Sequence, residues 1–180
     1  KGAIEVVSAG DIELSSGVIG VSDLTWHFQP FHPLRKAVEP GRYPVEVARV
    51  DGRNIAVRVV FSDASVDNWY AADTTDGGHH VGVDASNVAV FDAKAFLEVG
   101  DKVCKQHMEA FFANDAGILP CALRSRTGAD CVVTRAGLGD GVYPAYWGVD
   151  AALRPVQLLV DFLVVADFKE EVVRIPWTPD

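Results

Sequence analysis

Tyr43-Pro44-Val45-Glu46-Val47-Ala48-Arg49-Val50-Asp51-Gly52-Arg53-Asn54-Ile55-Ala56-Val57-Arg58-Val59-Val60-Phe61 is the stretch that decides the fold class. Val45, Val47 and Arg49 alternate with Glu46, Ala48 and Val50. After Asp51-Gly52, the residues Ile55, Val57, Val59 and Phe61 alternate with Ala56, Arg58 and Val60. Successive side chains of a strand point to opposite faces, so a period of two marks two half-buried strands. Asp-Gly accepts the left-handed backbone of a tight turn, which makes the pair a β-hairpin.

Working outward from the hairpin, short apolar runs recur on both sides. Ala3–Val7 and Gly17–Ser22 read as strands before it. Between them and the hairpin lies Trp26-His27-Phe28-Gln29-Pro30-Phe31-His32-Pro33, whose prolines remove ladder donors and mark a loop or edge segment. After the hairpin, Trp69-Tyr70 opens an irregular section and Asp76-Gly77-Gly78 reads as a turn. His79–Val83, Asn87–Phe91, Ala129–Thr134, Val142–Val149, Val156–Val165 and Val172–Trp177 read as further strands. The run Val156–Val165 is apolar at both parities, which predicts a strand covered on both faces. No internal repeat stands out. One helical insertion is expected between Asp92 and Asn114. Asp92 is the N-cap, Phe96, Val99, Val103, His107 and Phe111 form the buried face, and Gly100 is a possible break into two helices. The expectation is one globular domain over residues 1–180, mainly β in an α+β arrangement, built as an antiparallel sandwich or partly closed barrel.

Composition narrows the function classes. The chain has 180 residues, 49% of them hydrophobic, and a formal net charge of −9. A chain of this length buries roughly 70% of its unfolded surface and needs no metal or disulfide to hold a core. Binding to phosphate backbones relies on Lys and Arg, so sixteen basic residues against twenty-five acidic ones point away from nucleic acid. They also point away from anionic membranes. No apolar run reaches the ~20 residues of a membrane span, and no signal-peptide pattern opens the chain, so a cytoplasmic protein is expected. Cys104, Cys121 and Cys131 have no CxxC spacing and read as buried thiols, although two strands could bring Cys121 and Cys131 together.

Four blocks have a family look. They are Gly41-Arg42-Tyr43-Pro44-Val45-Glu46, then Gly82-Val83-Asp84-Ala85 with Asp92 downstream, then Gly139-Asp140-Gly141-Val142-Tyr143-Pro144 continuing to Tyr146-Trp147-Gly148-Val149-Asp150, and last Leu159-Val160-Asp161-Phe162. In this order they resemble the bacterial family called domain of unknown function 4241, over most of the chain from about Gly17 to Val165. That family often carries an Asp-Pro pair after its first strand, where this chain reads Ser22-Asp23-Leu24. The resemblance implies a shared fold and structural signature, and it brings no catalytic residue with it.

Two sets of residues are candidates for function. The first is Asp84, Asp140, Tyr143, Asp150 and Asp161. Several carboxylates can hold a hard cation such as Mg²⁺ or Ca²⁺, but Asp beside Gly also makes local turns. Asp161 lies inside an apolar run and needs a partner, for which Arg58, Tyr143 and backbone amides are available. The second set is a possible aromatic binding surface of Trp26, Phe28, Phe31, Trp69 and Trp147. His79 and His80 should point to opposite faces and sit in an exposed loop. Gly-x-Ser-x-Gly and the phosphate-binding Gly-rich loop are both absent. The sequence favours a protein- or ligand-binding module, with an acidic surface suited to a basic protein partner of unknown identity. The alternative is a hydrolase-type enzyme using clustered Asp residues and a divalent cation. It requires at least three of Asp84, Asp92, Asp140, Asp150 and Asp161 to converge within about 6 Å. Cofactor and reaction stay open at this level.

Overall fold

The computed structural model describes residues 2–26, 31–124 and 128–165. Eleven strands are found among them: β1 (Glu5–Leu14), β2 (Ile19–Ser22), β3 (Gly41–Val50), β4 (Arg53–Val60), β5 (Asn68–Ala71), β6 (His80–Val83), β7 (Asn87–Asp92), β8 (Ile118–Cys121), β9 (Cys131–Arg135), β10 (Gly141–Val149) and β11 (Pro155–Asp161). Two helices, α1 (Ala93–Glu98) and α2 (Asp101–Phe112), separate β7 from β8, and a single 3-10 turn covers Leu24–Trp26. The strand expected at Val172–Trp177 lies outside the described residues.

The strands form two antiparallel sheets. The larger runs β1-β3-β4-β11-β10-β5, with β6 pairing the first half of β10, and the smaller runs β2-β7-β9-β8. Neither closes on itself, so of the two expected architectures the molecule is a sandwich. The hairpin read from the sequence is β3–β4, with Asp51 at φ 50° and Gly52 at φ 77° in its turn. These angles suit the primed turn that follows the natural twist of two paired strands.

Facing side chains of the two sheets build the main core. Ile12, Leu14, Val45, Val47, Val57, Val59, Trp147, Leu158 and Val160 come from the larger sheet, and Val88, Val90 and Val132 from the smaller. The outer face of the smaller sheet is not solvated. Phe96 of α1, Cys104, Met108 and Phe111 of α2, and Leu24 pack on its Ala89, Phe91, Cys121, Cys131 and Val133. Every residue of β7 is therefore buried. Here the structure corrects the sequence reading. The strand covered on both faces is β7 and not β11, in which Leu159 and Asp161 are only half-buried.

The helical insertion breaks at Val99-Gly100. Asp92 caps α1 by accepting the Ala95 N–H, as its position predicted. The buried face of α2 is shifted by one residue from the expected stripe, with Cys104, Met108 and Phe111 inside and Val103 and His107 half-exposed. The break at Gly100 restarts the helical phase, so spacing counted through Phe96 and Val99 does not carry into α2. No helix of the described residues is long and apolar enough to cross a membrane.

Candidate functional site

The candidate carboxylates do not converge. Asp140 accepts the Ser86 N–H at 2.9 Å and the Ser86 hydroxyl at 3.0 Å, tying the loop before β10 to the β6–β7 turn. Asp150 accepts the backbone N–H groups of Ala152 and Arg154 and pairs with the Arg154 guanidinium at 2.8 Å, closing the β10–β11 turn. Those donors hold its carboxyl below the usual carboxylate range. Asp161 accepts the Leu163 N–H at 2.8 Å as the chain leaves β11, so its partner is a backbone amide and neither Arg58 nor Tyr143. Asp84 is exposed, and its backbone N–H donates to Asp23. Among the described residues no three His, Cys, Asp or Glu side chains gather as a metal site would need. Asp140, Asp150 and Asp161 each serve a turn, as short polar side chains beside loop backbone commonly do.

Tyr143 has a structural task that repeats elsewhere. Its hydroxyl donates to the Gly139 carbonyl at 2.8 Å, and the Tyr43 hydroxyl donates to the Glu39 carbonyl at 2.6 Å. Both tyrosines belong to Gly-x-Tyr-Pro, at Gly41–Pro44 and Gly141–Pro144, and each ring folds back over its glycine. The sequence carries this local repeat in plain form, although no longer repeat accompanies it. Burial pushes both phenol pKa values up, with Glu39 adding to the effect at Tyr43.

Nor do the aromatic candidates share a surface. Trp147 is fully buried between the sheets, which removes it from any binding face. Phe31 packs edge-on against Phe91 and Phe96 in the helical layer. Trp26 lies over Gly82, Trp69 is 43% exposed on β5, and Phe28 lies outside the described residues. The His79 and His80 rings sit 3.9 Å apart instead of on opposite faces, because His79 precedes β6 and escapes strand alternation. Burial and the neighbouring His79 lower the His80 pKa.

Two buried carboxylates, Asp23 and Asp130, lie outside the candidate set. Asp23, 1% exposed, accepts the Thr25 N–H and hydroxyl, the Asn87 side-chain amide, and the N–H groups of Asp84 and Ala85. Five neutral donors solvate it in place of water and lock the 3-10 turn to the β6–β7 turn. Its signal was the position after the first short strand, where the family motif places an aspartate.

A cleft of about 670 Å³ lies at the hairpin end of the sandwich, between the β3–β4 turn, the α2–β8 loop and the β9–β10 loop. Three arginines line it: Arg49 at the end of β3, Arg53 at the start of β4 and Arg135 at the end of β9. Arg49 donates to the Asn54 side-chain oxygen at 2.8 Å and to the Ala116 carbonyl at 2.6 Å. Buried Asn54 donates in turn to the Arg135 carbonyl at 3.0 Å, joining the hairpin to β9. Gly137 closes the floor. A methyl group there would come within 2.1 Å of the Asn54 carbonyl oxygen, so only glycine lets the two backbones meet. A second hollow, of about 460 Å³ on the outer face of the larger sheet, holds Arg58 with Glu46 at 2.6 Å, so its charge is balanced internally.

A family model described as Protein of unknown function (DUF4241) matches residues 12–160. The chain belongs to the DUF4241 family. No curated protein and no solved structure matches it. The matched span of DUF4241 takes in both Gly-x-Tyr-Pro corners, Asp23 and every residue lining the cleft. In this DUF4241 chain the sequence blocks coincide with the joints between strands, where Asp140, Tyr143, Asp150 and Asp161 do their bonding.

Proposed function

We propose that this chain is a binding module that works through the cleft at its hairpin end. The observation supporting this reading is that the cleft has the volume of a small-molecule site, ~300–1,000 Å³, and rigid walls set by the hairpin turn, Asn54 and Gly137. The hydrolase reading loses its support, because no three acidic, histidine or cysteine side chains gather among the described residues, and Asp92, Asp140, Asp150 and Asp161 are engaged in local bonds. The acidic balance of the whole chain, −9, disfavours extended polyanions such as nucleic acid while leaving small ligands free to enter.

The test is a fragment screen on the full chain by amide-resolved NMR. Bound fragments should move the resonances of Gly52, Ser86, Gly117 and Gly139 before any others. Hits that gather instead on the Arg58–Glu46 hollow or around Trp69, or a ligand that is chemically converted on standing, would remove the reading.

A further inference from the structure

We propose that the cleft selects a small, multiply charged oxyanion, a phosphorylated or polycarboxylate metabolite, with Arg53 and Arg135 as its clamps and Arg49 as a fixed positive charge in the same wall. This rests on the cleft being the binding site and adds the chemical class of its ligand.

The chain is acidic overall, so cations brought together at one place run against its average. Among the described residues, the ion pairs employ Arg42, Arg58, Arg124, Arg154 and His32. The three arginines of the cleft take part in none of them. Arg49 is half-buried, and its two partners are neutral oxygens that orient the guanidinium without balancing it. Arg135 has one long contact to the Asn114 carbonyl, at 3.5 Å, and Arg53 is exposed. Two carboxylates also line the cleft. Asp51 turns toward Gly2 at the approach to β1, and Asp115 is exposed in the α2–β8 loop. Asp140 lies just behind Ser86 and is engaged by it. None of the three carboxylates meets a guanidinium of the cleft.

Geometry supports the same ligand. A guanidinium presents a planar fork of donors that matches the oxygens of a phosphate or carboxylate. The three guanidiniums come from three strands, β3, β4 and β9, and all line the same cleft. Arg49 and the Asn54 bond to β9 are in place before binding, which reduces the ordering that binding must bring about. Leu138, Ala116 and Ala136 are the apolar contributions to the wall, too few for a hydrophobic ligand and enough for the stem of a small metabolite.

The experiment titrates the full chain with sodium pyrophosphate and, separately, with sodium citrate, by calorimetry and NMR in about 0.15 M NaCl, where exposed charges are screened beyond ~8 Å. At least one anion should bind saturably at one site and shift the amides of Arg53, Ser86, Gly117 and Gly139. Pyrophosphate alone would assign the phosphoryl source and citrate alone the carboxylate source. Arg53→Ala and Arg135→Ala should each weaken binding about tenfold, the effect of losing a charge-assisted hydrogen bond. Arg42→Ala removes an equal charge outside the cleft and should leave binding unchanged. The proposal is overturned if neither anion saturates, or if Arg42→Ala weakens binding as much as Arg53→Ala. If both anions fail while neutral fragments still shift the cleft amides, the ligand class falls and the binding site stands. If nothing shifts them, both fall.

Discussion

Tyr43 and Tyr143 do the same work at two strand entries. Each phenol reaches back four residues to a backbone carbonyl, and the glycine two residues earlier leaves room for the ring. A hydrogen bond of this kind contributes ~0.5–1.5 kcal/mol net, with a larger penalty where the abandoned carbonyl stays buried. Tyr143 is 3% exposed and Tyr43 is half-exposed, so Tyr143→Phe should cost about 1–2 kcal/mol and Tyr43→Phe less, read from urea midpoints. Equal losses, or none, would contradict the corner reading. Asp150 supplies the pH test at the same scale. Its folded pKa is depressed by the Arg154 amide and guanidinium, so its stabilisation is present above the unfolded carboxylate pKa of about 3.9 and is lost as pH falls through the lower folded value. Asp150→Asn should therefore be less stable than the parent at pH 7 and approach it as the solution is acidified. A gap in urea midpoint that stays constant to low pH would show that the carboxylate charge is not what closes the turn. At this scale the sequence marked Asp140, Asp150, Asp161 and Tyr143 as candidates for a site, while the bonds they make were not legible in it. Which backbone amides reach a carboxylate is decided by turns from distant parts of the chain, as the bond of Asp23 to Asp84 shows.

Elements were legible to different degrees. The β3–β4 hairpin could be read because its alternation and its turn pair agree and lie next to each other in the chain. β8 was not anticipated. It is four residues with a proline at Pro120, and it pairs only along β9 at the edge of the smaller sheet. The face of α2 was misjudged by one position for the reason given by Gly100. This supplies a direct comparison. Phe111→Ala should cost about 3–5 kcal/mol, as large-to-small changes in a core do. Val103→Ala and His107→Ala should each stay near or below about 1 kcal/mol, since neither side chain is fully buried. Thermal melts of the three variants settle the phase of the helix. A loss at Val103 matching that at Phe111 would restore the stripe read from the sequence and contradict the observed packing.

At the scale of the molecule, one sheet supports two cores. β7 and β9 offer Val88, Val90 and Val132 to the larger sheet on one side and Ala89, Phe91, Cys131 and Val133 to the helices on the other. Sequence patterning could not assign this layering, because a strand buried on both faces loses the alternation that reveals a single buried face. The arginine cleft was hidden for a related reason. Arg49, Arg53 and Arg135 meet only after β9 is brought beside the hairpin. The second core carries all three cysteines, and Cys121 faces Cys131 across β8–β9 as free thiols. Burial, with Asp101 and Cys121 adding to it, pushes the Cys104 thiol up to about 11, and burial raises Cys131 well above its ordinary value. Because the thiolate is the reactive form, labelling requires this layer to open. Removing Phe96, Met108 and Phe111 from their contacts forfeits roughly 5–9 kcal/mol at ~1.5–3 kcal/mol per large apolar side chain. That is comparable with the ~5–15 kcal/mol that holds a whole domain together. Undocking the helices alone therefore gains little over unfolding everything, and the three thiols should react with a disulfide reagent in one slow phase. Its rate should rise with urea as steeply as that of global unfolding. A fast phase for Cys104, Cys121 and Cys131 that is insensitive to urea, while the larger sheet keeps its amide protons, would show instead that the helical layer detaches on its own.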